Sequence, residues 1–181
     1  PHSHSIQRAL IMKFAKNTVQ TRISTPLGDA LLAATPTALV GVWFHDQRHL
    51  PAQLSGDGAW PEDADNPHLQ RAATQLAEYF AGTRDTFDLE LDLSGGTAFQ
   101  QSVWRGLLDI QCGDTASYGD LSRSIGNATA VRAVGAAVGR NPFTIVVPCH
   151  RILGADGSLT GYAGGLARKE ALLRRESVLL C

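Results

Sequence analysis

The chain contains 181 residues with a mass of 19.3 kDa, of which 44% are hydrophobic and 18% are charged. No low-complexity tract interrupts it, so it is long enough to form one or two globular domains with buried cores. Its 16 Lys+Arg and 17 Asp+Glu residues give a formal net charge of −1. This balance argues against a protein that binds polyanions through bulk charge.

Cysteine usage and hydropathy indicate the compartment. The three cysteines, Cys112, Cys149 and Cys181, include no C-x-x-C pair and are too few and too far apart for a disulfide scaffold. No stretch approaches the roughly 18 apolar residues that span a bilayer, and the N-terminus lacks a signal-peptide pattern. We therefore expect a soluble cytoplasmic protein with no membrane partner. Residues 1–11 precede the single methionine and are expected to be a tail without function.

The charges are distributed unevenly along the chain. Before Thr97 there are 7 basic and 11 acidic residues, a net charge of −4, and from Thr97 onward there are 9 and 6, a net charge of +3. A polyanion would therefore meet the C-terminal half. Ser94-Gly95-Gly96 breaks the pattern, so we expect domains at 12–93 and 97–181.

The N-terminal half reads as a small antiparallel sheet followed by a helix. Apolar runs in 21–35 and 38–45 are separated by turn formers, which is typical of a meander. A helical stripe runs from Leu69 to Phe80 and ends at Gly82. Alternation over 87–93 predicts a half-buried strand. No residues of this half have the spacing of a catalytic site.

The C-terminal half reads as helical. Thr97 and Gln100 form a capping box, and the helix that follows is predicted to bury Phe99, Val103, Trp104, Leu107 and Leu108. Residues 117–126 and 128–139 have the spacing of a helix-turn-helix. The second of these helices is rich in Ala, Gly and Val, so it can lie very close to another surface.

The strongest chemical signal is Pro148-Cys149-His150-Arg151, which follows a β-branched run. A free thiol with a pKa near 8.5 is only about 3% thiolate at neutral pH, so a nucleophilic cysteine needs a base or a positive environment. Adjacent residues of an extended chain point to opposite faces. His150 would therefore reach Cys149 only after a bend or through a water. A lone cysteine is more often a small buried apolar residue.

The segments 132–153 and 157–176 closely resemble the O6-alkylguanine-DNA alkyltransferases, also called methylated-DNA–protein-cysteine methyltransferases. The resemblance covers Thr97 to Glu176, and the N-terminal half is similar in layout, including a Tyr-Phe-x-Gly pattern at 79–82. It implies an α+β fold. An N-terminal ribonuclease-H-like antiparallel sheet with a helix would precede a C-terminal winged helix-turn-helix-type domain that carries the Pro-Cys-His-Arg site.

The resemblance also implies a function. The protein would repair double-stranded DNA by irreversible, single-turnover transfer of an alkyl group, typically methyl, from O6 of guanine to Cys149, without a cofactor. It would bind the minor groove as a monomer and flip the damaged base out. Activity on O4 of thymine, cooperative association on DNA, and a nucleoid or nuclear location remain open.

Five residues match the catalytic positions of the family. Cys149 matches the nucleophile, His150 the base that acts through a water, and Glu176 the carboxylate that orients it. Tyr118 matches the donor to guanine N3, and Asn141 matches the residue that braces the active-site loop.

Further matches concern DNA and the base pocket. Arg132 matches the arginine finger that fills the vacated stack. The other expected DNA contacts are Asn127, Tyr118, Ala133, Gly135 and Ala136, and the expected pocket residues are Ile152, Tyr162, Ala163 and Gly164. Some family members carry a serine in place of Ala163, which leaves the preference for alkyl size open.

No metal site is expected. A zinc site in some relatives uses N-terminal cysteines, and no cysteine precedes Cys112; His2 and His4 lie in the tail, and His45 and His49 are interpreted as surface residues. Three alternative functions stay open: a catalytically silent lesion-binding relative, a Cys-His thiol hydrolase that turns over, and a transcription regulator that binds intact DNA.

Overall fold

The computed structural model describes residues 12–178, so the predicted tail at 1–11 and Cys181 lie outside the described residues. Three strands, β1 (Val19–Ile23), β2 (Ala30–Ala34) and β3 (Leu39–Phe44), form an antiparallel sheet in the order β1-β2-β3. Cα partners run from Val19 opposite Ala34 to Ile23 opposite Ala30. The predicted meander is confirmed.

Helix α1 (Pro67–Ala81) packs on this sheet, and local signals set both of its ends. Asn66 accepts hydrogen bonds from the backbone N–H groups of His68 and Leu69, and a proline occupies the first helical position. Gly82 ends the helix with φ 81°, a left-handed conformation that glycine adopts without steric cost. The buried stripe comprises Leu69, Ala72, Gln75, Leu76 and Tyr79.

The strand predicted over 87–93 is wrong. This segment makes one bridge, in which the Leu39 N–H donates to Glu90 (2.8 Å) and the Asp92 N–H donates to Leu39 (2.9 Å). Pairing of this segment with β3 does not continue, because residues of the C-terminal half bond to the same edge of β3 further along the strand. There the Val42 N–H donates to Pro142 (2.8 Å), and the Val42 carbonyl accepts from Thr144 (3.0 Å).

Helix α2 (Ala98–Leu108) opens the C-terminal half with the predicted capping box. The Gln100 N–H donates to the Thr97 hydroxyl (3.1 Å), and the Thr97 N–H donates to the Gln100 side chain (2.9 Å). Trp104 is fully buried, and its indole N–H donates to the Ala137 carbonyl (2.9 Å). Leu108, predicted as buried, is instead 44% exposed because it is the last helical residue and faces a groove.

The helix-turn-helix consists of α3 (Tyr118–Ser124) and α4 (Val131–Gly139). The second helix starts later than predicted, because residues 128–130 belong to the turn, where the Ala130 N–H bonds back to Asn127 (3.1 Å). Two short strands, β4 (Ala116–Ser117) and β5 (Ile152–Leu153), pair in parallel beside it.

Helix α5 (Leu166–Arg175) completes the fold, and 3-10 turns span Ala52–Leu54 and Cys149–Arg151. One apolar cluster extends from the sheet through α1 and α2 to α4, the Cys149 loop and α5. The two halves therefore share a core. Among residues 12–178, no helix is both long enough and apolar enough to cross a membrane.

Candidate active site

The loop between α4 and the turn at Cys149 is held by one amide side chain. Asn141 Nδ2 donates to the Val147 carbonyl (2.8 Å), and Asn141 Oδ1 accepts from the Phe143 N–H (2.9 Å). Within this loop Ile145 has φ 71°, a conformation that β-branched residues rarely adopt, so its backbone is strained. The hydrogen bonds of Asn141 thus fix the backbone of the loop that leads to Cys149.

Cys149 lies at the start of the 3-10 turn and is only 6% exposed. Burial raises the pKa of its thiol, while the Asn141 side chain and the positive charge of Lys169 act in the opposite direction. A buried thiol with a raised pKa is mostly protonated at neutral pH. It therefore needs a partner that removes its proton during reaction.

The adjacent histidine is the candidate for that partner, and the 3-10 turn carries it into the protein interior. His150 is fully buried, and its Nε2 lies 2.7 Å from Glu176 Oε2. Its Nδ1 is buried without a hydrogen-bond partner in the described part of the chain. Because the carboxylate accepts from Nε2–H, the neutral ring leaves Nδ1 as a proton acceptor.

Glu176, at the C-terminal end of α5, accepts hydrogen bonds from two residues besides His150. Arg151 Nε donates to Oε1 (2.8 Å), Arg151 Nη2 donates to Oε2 (3.1 Å), and the Tyr79 hydroxyl donates to Oε2 (2.6 Å). Burial by itself raises the pKa of Glu176, but hydrogen bonds from His150, Arg151 and Tyr79 outweigh it and lower the pKa to about 2. Burial lowers the pKa of His150, against the hydrogen bond with Glu176. The resting pair is a carboxylate and a neutral imidazole.

Lys169 is a second buried charge beside the site. Its side chain is inaccessible to solvent, and its Nζ donates to the carbonyls of Thr160 (2.6 Å) and Gly161 (3.3 Å). Burial lowers the pKa of Lys169 to about 8, while interaction with Cys149 opposes that shift. The lysine fixes the start of the 161–165 loop and places positive charge near the thiol.

Cys149 opens into a cavity of about 140 Å³. Helix α3 contributes Tyr118 to this cavity, and α4 contributes Gly135, where an added Cβ would lie 3.8 Å from the Tyr118 ring. The Tyr162 hydroxyl bonds to the side chain of Thr144 on the Cys149 loop. The cavity is lined by Arg48, His49, Tyr118, Gly135, Val138, Gly139, Cys149, Gly161, Tyr162 and Ala163.

The wall formed by 161–165 is tied to the N-terminal half. The Arg48 N–H donates to the Ala163 carbonyl (3.0 Å). Arg168 donates to the carbonyls of Leu27 (2.9 Å) and Gly164 (3.2 Å), and its guanidinium lies 4.3 Å from the centre of the Phe44 ring. A Cβ on Gly164 would lie 2.8 Å from Tyr162 and 3.1 Å from Phe44, so only glycine fits there. The pocket wall thus rests on β3.

The predicted DNA contacts lie on the helix-turn-helix. Arg132, Ala133 and Ala136 are exposed on α4, and Asn127 is exposed in the turn. Arg132 makes no ion pair within residues 12–178. Small residues surround one long cationic side chain, as the sequence indicated. This surface adjoins the cavity through Gly135.

The structure therefore brings together five predicted residues in one cavity: Cys149, Tyr118, Gly135, Tyr162 and Ala163. Behind the cysteine lie His150, Glu176 and Asn141; Ile152 is fully buried in β5, and Gly164 packs behind the cavity wall.

Several residues at the site carry little signal in the sequence. Arg48 and His49 line the cavity, although no catalytic spacing was recognised in the N-terminal half. His49 is exposed, as predicted for a surface residue, but the sequence did not predict that it lines the cavity. Tyr79 belongs to the Tyr-Phe-x-Gly pattern, which was the available signal. Lys169 carried no such signal, because α5 contains several other basic residues from which the sequence does not distinguish it.

The other described cysteine has a different setting. Cys112 lines a separate groove of about 520 Å³ with Leu108 and Phe87, and burial raises the pKa of its thiol. No histidine from the described part of the chain lines that groove. Among the described residues, no group of three or more His, Cys, Asp or Glu side chains could hold a metal ion.

Comparisons with known proteins agree with this geometry. Residues 18–93 match the family described as 6-O-methylguanine DNA methyltransferase, ribonuclease-like domain, and residues 98–178 match the DNA binding domain of the same family. A methylated-DNA–protein-cysteine methyltransferase of Salmonella typhimurium is 54% identical over 90% of this chain and 97% of its own. One from Mycobacterium bovis is 46% identical over 85% and 89%.

Solved structures are similar as well. The O6-methylguanine methyltransferase of Mycobacterium tuberculosis superposes with a TM-score of 0.78 at 43% identity, covering 88% of this chain and 92% of that one. The same organism's OGT in complex with DNA gives 0.76 at 44% identity, covering 86% and 90%. With both halves matched and identities above 40% over most of its length, the chain belongs to the 6-O-methylguanine DNA methyltransferase family.

Proposed function

We propose that the chain repairs alkylated DNA by transferring the alkyl group from O6 of guanine to Cys149 in a single turnover. The observation that carries this proposal is the placement of Cys149 at the floor of a cavity beside the helix-turn-helix, with a buried His150–Glu176 pair behind it. A nucleophile backed by a base and an orienting carboxylate is the arrangement that activates a weak acid such as a thiol.

The reaction is an in-line displacement at the alkyl carbon. The thiol proton passes through a bridging water to His150 Nδ1, and the sulfur forms a bond to the carbon as the bond from carbon to O6 breaks. The electron pair stays on guanine. Glu176 stabilises the imidazolium that forms, and Tyr118 at the cavity edge donates to N3 of the departing base. The thioether on Cys149 has no route back to a thiol.

The damaged base must leave the duplex to reach this cavity, which costs a few kcal/mol. Arg132, on a smooth face of α4, fills the vacated stack in a minor-groove complex, and the protein acts there as a monomer. Asn127, Ala133 and Ala136 contact the sugar-phosphate backbone on either side of it. Asn141 keeps the Cys149 loop in place during the approach.

Peptide mass analysis after incubation with O6-methylguanine duplex tests the proposal. We expect one added methyl on the Cys149 peptide, none on the Cys112 peptide, and one lesion lost for each protein consumed. Cys149→Ser should bind the duplex and leave the lesion intact. An intact lesion with wild-type protein would refute the proposal, and continued turnover with an unmodified Cys149 would favour a thiol hydrolase instead.

A further inference from the structure

Three basic side chains meet beside the cavity, and two of them come from the N-terminal half. Arg48 and His49 lie in the loop after β3, and Arg140 directly follows α4. Arg48 and His49 line the Cys149 cavity and also an adjoining cavity of about 350 Å³, which Arg140 lines too. The three residues therefore lie where the two cavities adjoin.

No acidic residue balances this cluster. No Asp or Glu lines either cavity, and none of the three forms an ion pair within the described chain. Burial, together with repulsion from Arg140 and Arg48, lowers the pKa of His49. Exposed arginines elsewhere are commonly paired, as Arg22 is with Asp29 and Arg71 with Asp88. The unbalanced positive charge therefore belongs to Arg48 and Arg140, with His49 as a mainly neutral ring beside them at pH 7, and such charge attracts an anion.

The loop that carries two of these groups is fixed in position. His49 has φ 61°, an uncommon conformation for a residue other than glycine. The Arg48 N–H is bonded to Ala163 in the cavity wall, and the Gln47 side chain accepts from the Phe44 N–H at 2.9 Å. The cluster is therefore preorganised at a constant place relative to Cys149, as a binding site requires.

We propose that Arg48, His49 and Arg140 form a phosphate-binding site for the DNA backbone next to the flipped nucleotide. The inference rests on the proposed function. A nucleotide whose base enters the Cys149 cavity carries phosphodiester groups on both sides of its sugar, and these must lie near the cavity mouth. The site makes the N-terminal domain part of the DNA-binding surface, and it holds the extruded strand by charge rather than by base readout.

Salt dependence of binding tests the site. Each phosphate contact contributes about −0.9 to the slope of log K against log salt on B-DNA. In a Cys149→Ser background, which keeps the lesion intact, we expect Arg48→Gln and Arg140→Gln each to reduce the slope by about 0.9, and the double variant by nearly twice that. Arg105→Gln is the matched control, because Arg105 is exposed, lines neither cavity and has no carboxylate partner among residues 12–178.

If the slopes for Arg48→Gln and Arg140→Gln equal the slope for Arg105→Gln, the site is overturned. A lower melting temperature of Arg140→Gln with an unchanged slope would also overturn it, because Arg140 would then only stabilise the end of α4. In a Cys149 background, both variants should lose more rate with duplex than with free O6-methylguanine base, which has no phosphate; equal losses would also overturn the site. Failure of wild-type transfer would refute the proposed function, whereas the slopes judge the phosphate site independently.

Discussion

At the scale of single residues, the buried carboxylate of Glu176 is stabilised by several hydrogen-bond donors. Its carboxylate accepts from His150, Arg151 and Tyr79, so removing the charge leaves the Arg151 guanidinium buried and unpaired. Loss of one partner of such a pair typically destabilises a fold by about 3–5 kcal/mol. The same carboxylate orients the base that the proposed reaction uses.

We expect Glu176→Gln to slow alkyl transfer, most strongly at neutral and lower pH where thiolate is scarce. It should also lower the free energy of unfolding at pH 7. The folded pKa of Glu176, about 2, is below the usual value near 4.3, so its stabilising contribution is present above pH 4.3 and is lost as the pH falls towards 2. Denaturant titrations of both proteins should therefore converge in acid. A constant difference across that range would contradict this assignment.

Lys169 makes a second prediction at this scale. Lys169→Met keeps much of the buried volume but removes the donors to Thr160 and Gly161 and the positive charge near Cys149. We expect the pKa of the Cys149 thiol to rise and the pH profile of transfer to free base to shift upward. Arg174→Met, on the exposed side of the same helix, is the control. An unchanged pH profile with a slower rate would leave Lys169 only its role in holding the loop.

At the scale of elements, helix α4 carries the arginine that we propose to act in base extrusion. Arg132 is exposed on α4, whereas the His150–Glu176 pair is buried. We expect Arg132→Ala to lose much more rate with duplex than with free base, because only the duplex has a stack to fill. Single-turnover rates on the two substrates measure this ratio. Equal losses would show that the arginine acts on the pocket and not on extrusion.

Local signals allowed most elements to be predicted from the sequence. The Thr97–Gln100 capping box, the Gly82 helix end and the turn residues of the meander all depend on neighbouring residues only. The strand predicted at 87–93 failed because the edge of β3 is shared with Pro142 and Thr144, a long-range competition that alternation does not record. The late start of α4 likewise depends on turn bonding at Asn127.

The residues of the site also divide into those that local sequence signals predict and those that only long-range packing brings in. Pro148-Cys149-His150-Arg151 and the family resemblance predicted the nucleophile region, and the resemblance predicted Glu176, which lies 2.7 Å from His150. The contributions of Arg48, His49 and Tyr79 could not be predicted from spacing, since 97 positions separate Tyr79 from its partner Glu176. Only the packing of the two halves brings them together.

At the scale of the whole molecule, the shared core predicts one cooperative unit. A single apolar cluster spans both halves, and Arg175 of α5 donates to the Tyr79 carbonyl (2.6 Å) across the boundary. Trp43 and Trp60 report on the N-terminal half, and Trp104 reports on the C-terminal half. In variants that keep Trp43 or Trp104 as the sole tryptophan, we expect each fluorescence midpoint to coincide with that variant's circular dichroism midpoint. Separate midpoints within one variant would show two independent units.

The hydrogen bonds that join Val42 to Pro142 and Thr144 also limit how the molecule can move. One β3 residue is bonded through both its N–H and its carbonyl to the loop that presents Cys149, so a hinge between the halves would have to break a sheet edge. The segment from Gly161 to Gly165 is held as well, because Lys169, Arg48 and Arg168 bond to the carbonyls of Gly161, Ala163 and Gly164. In the proposed reaction, the size of the alkyl group that can react would therefore be limited by a cavity of about 140 Å³ whose walls are held from both halves.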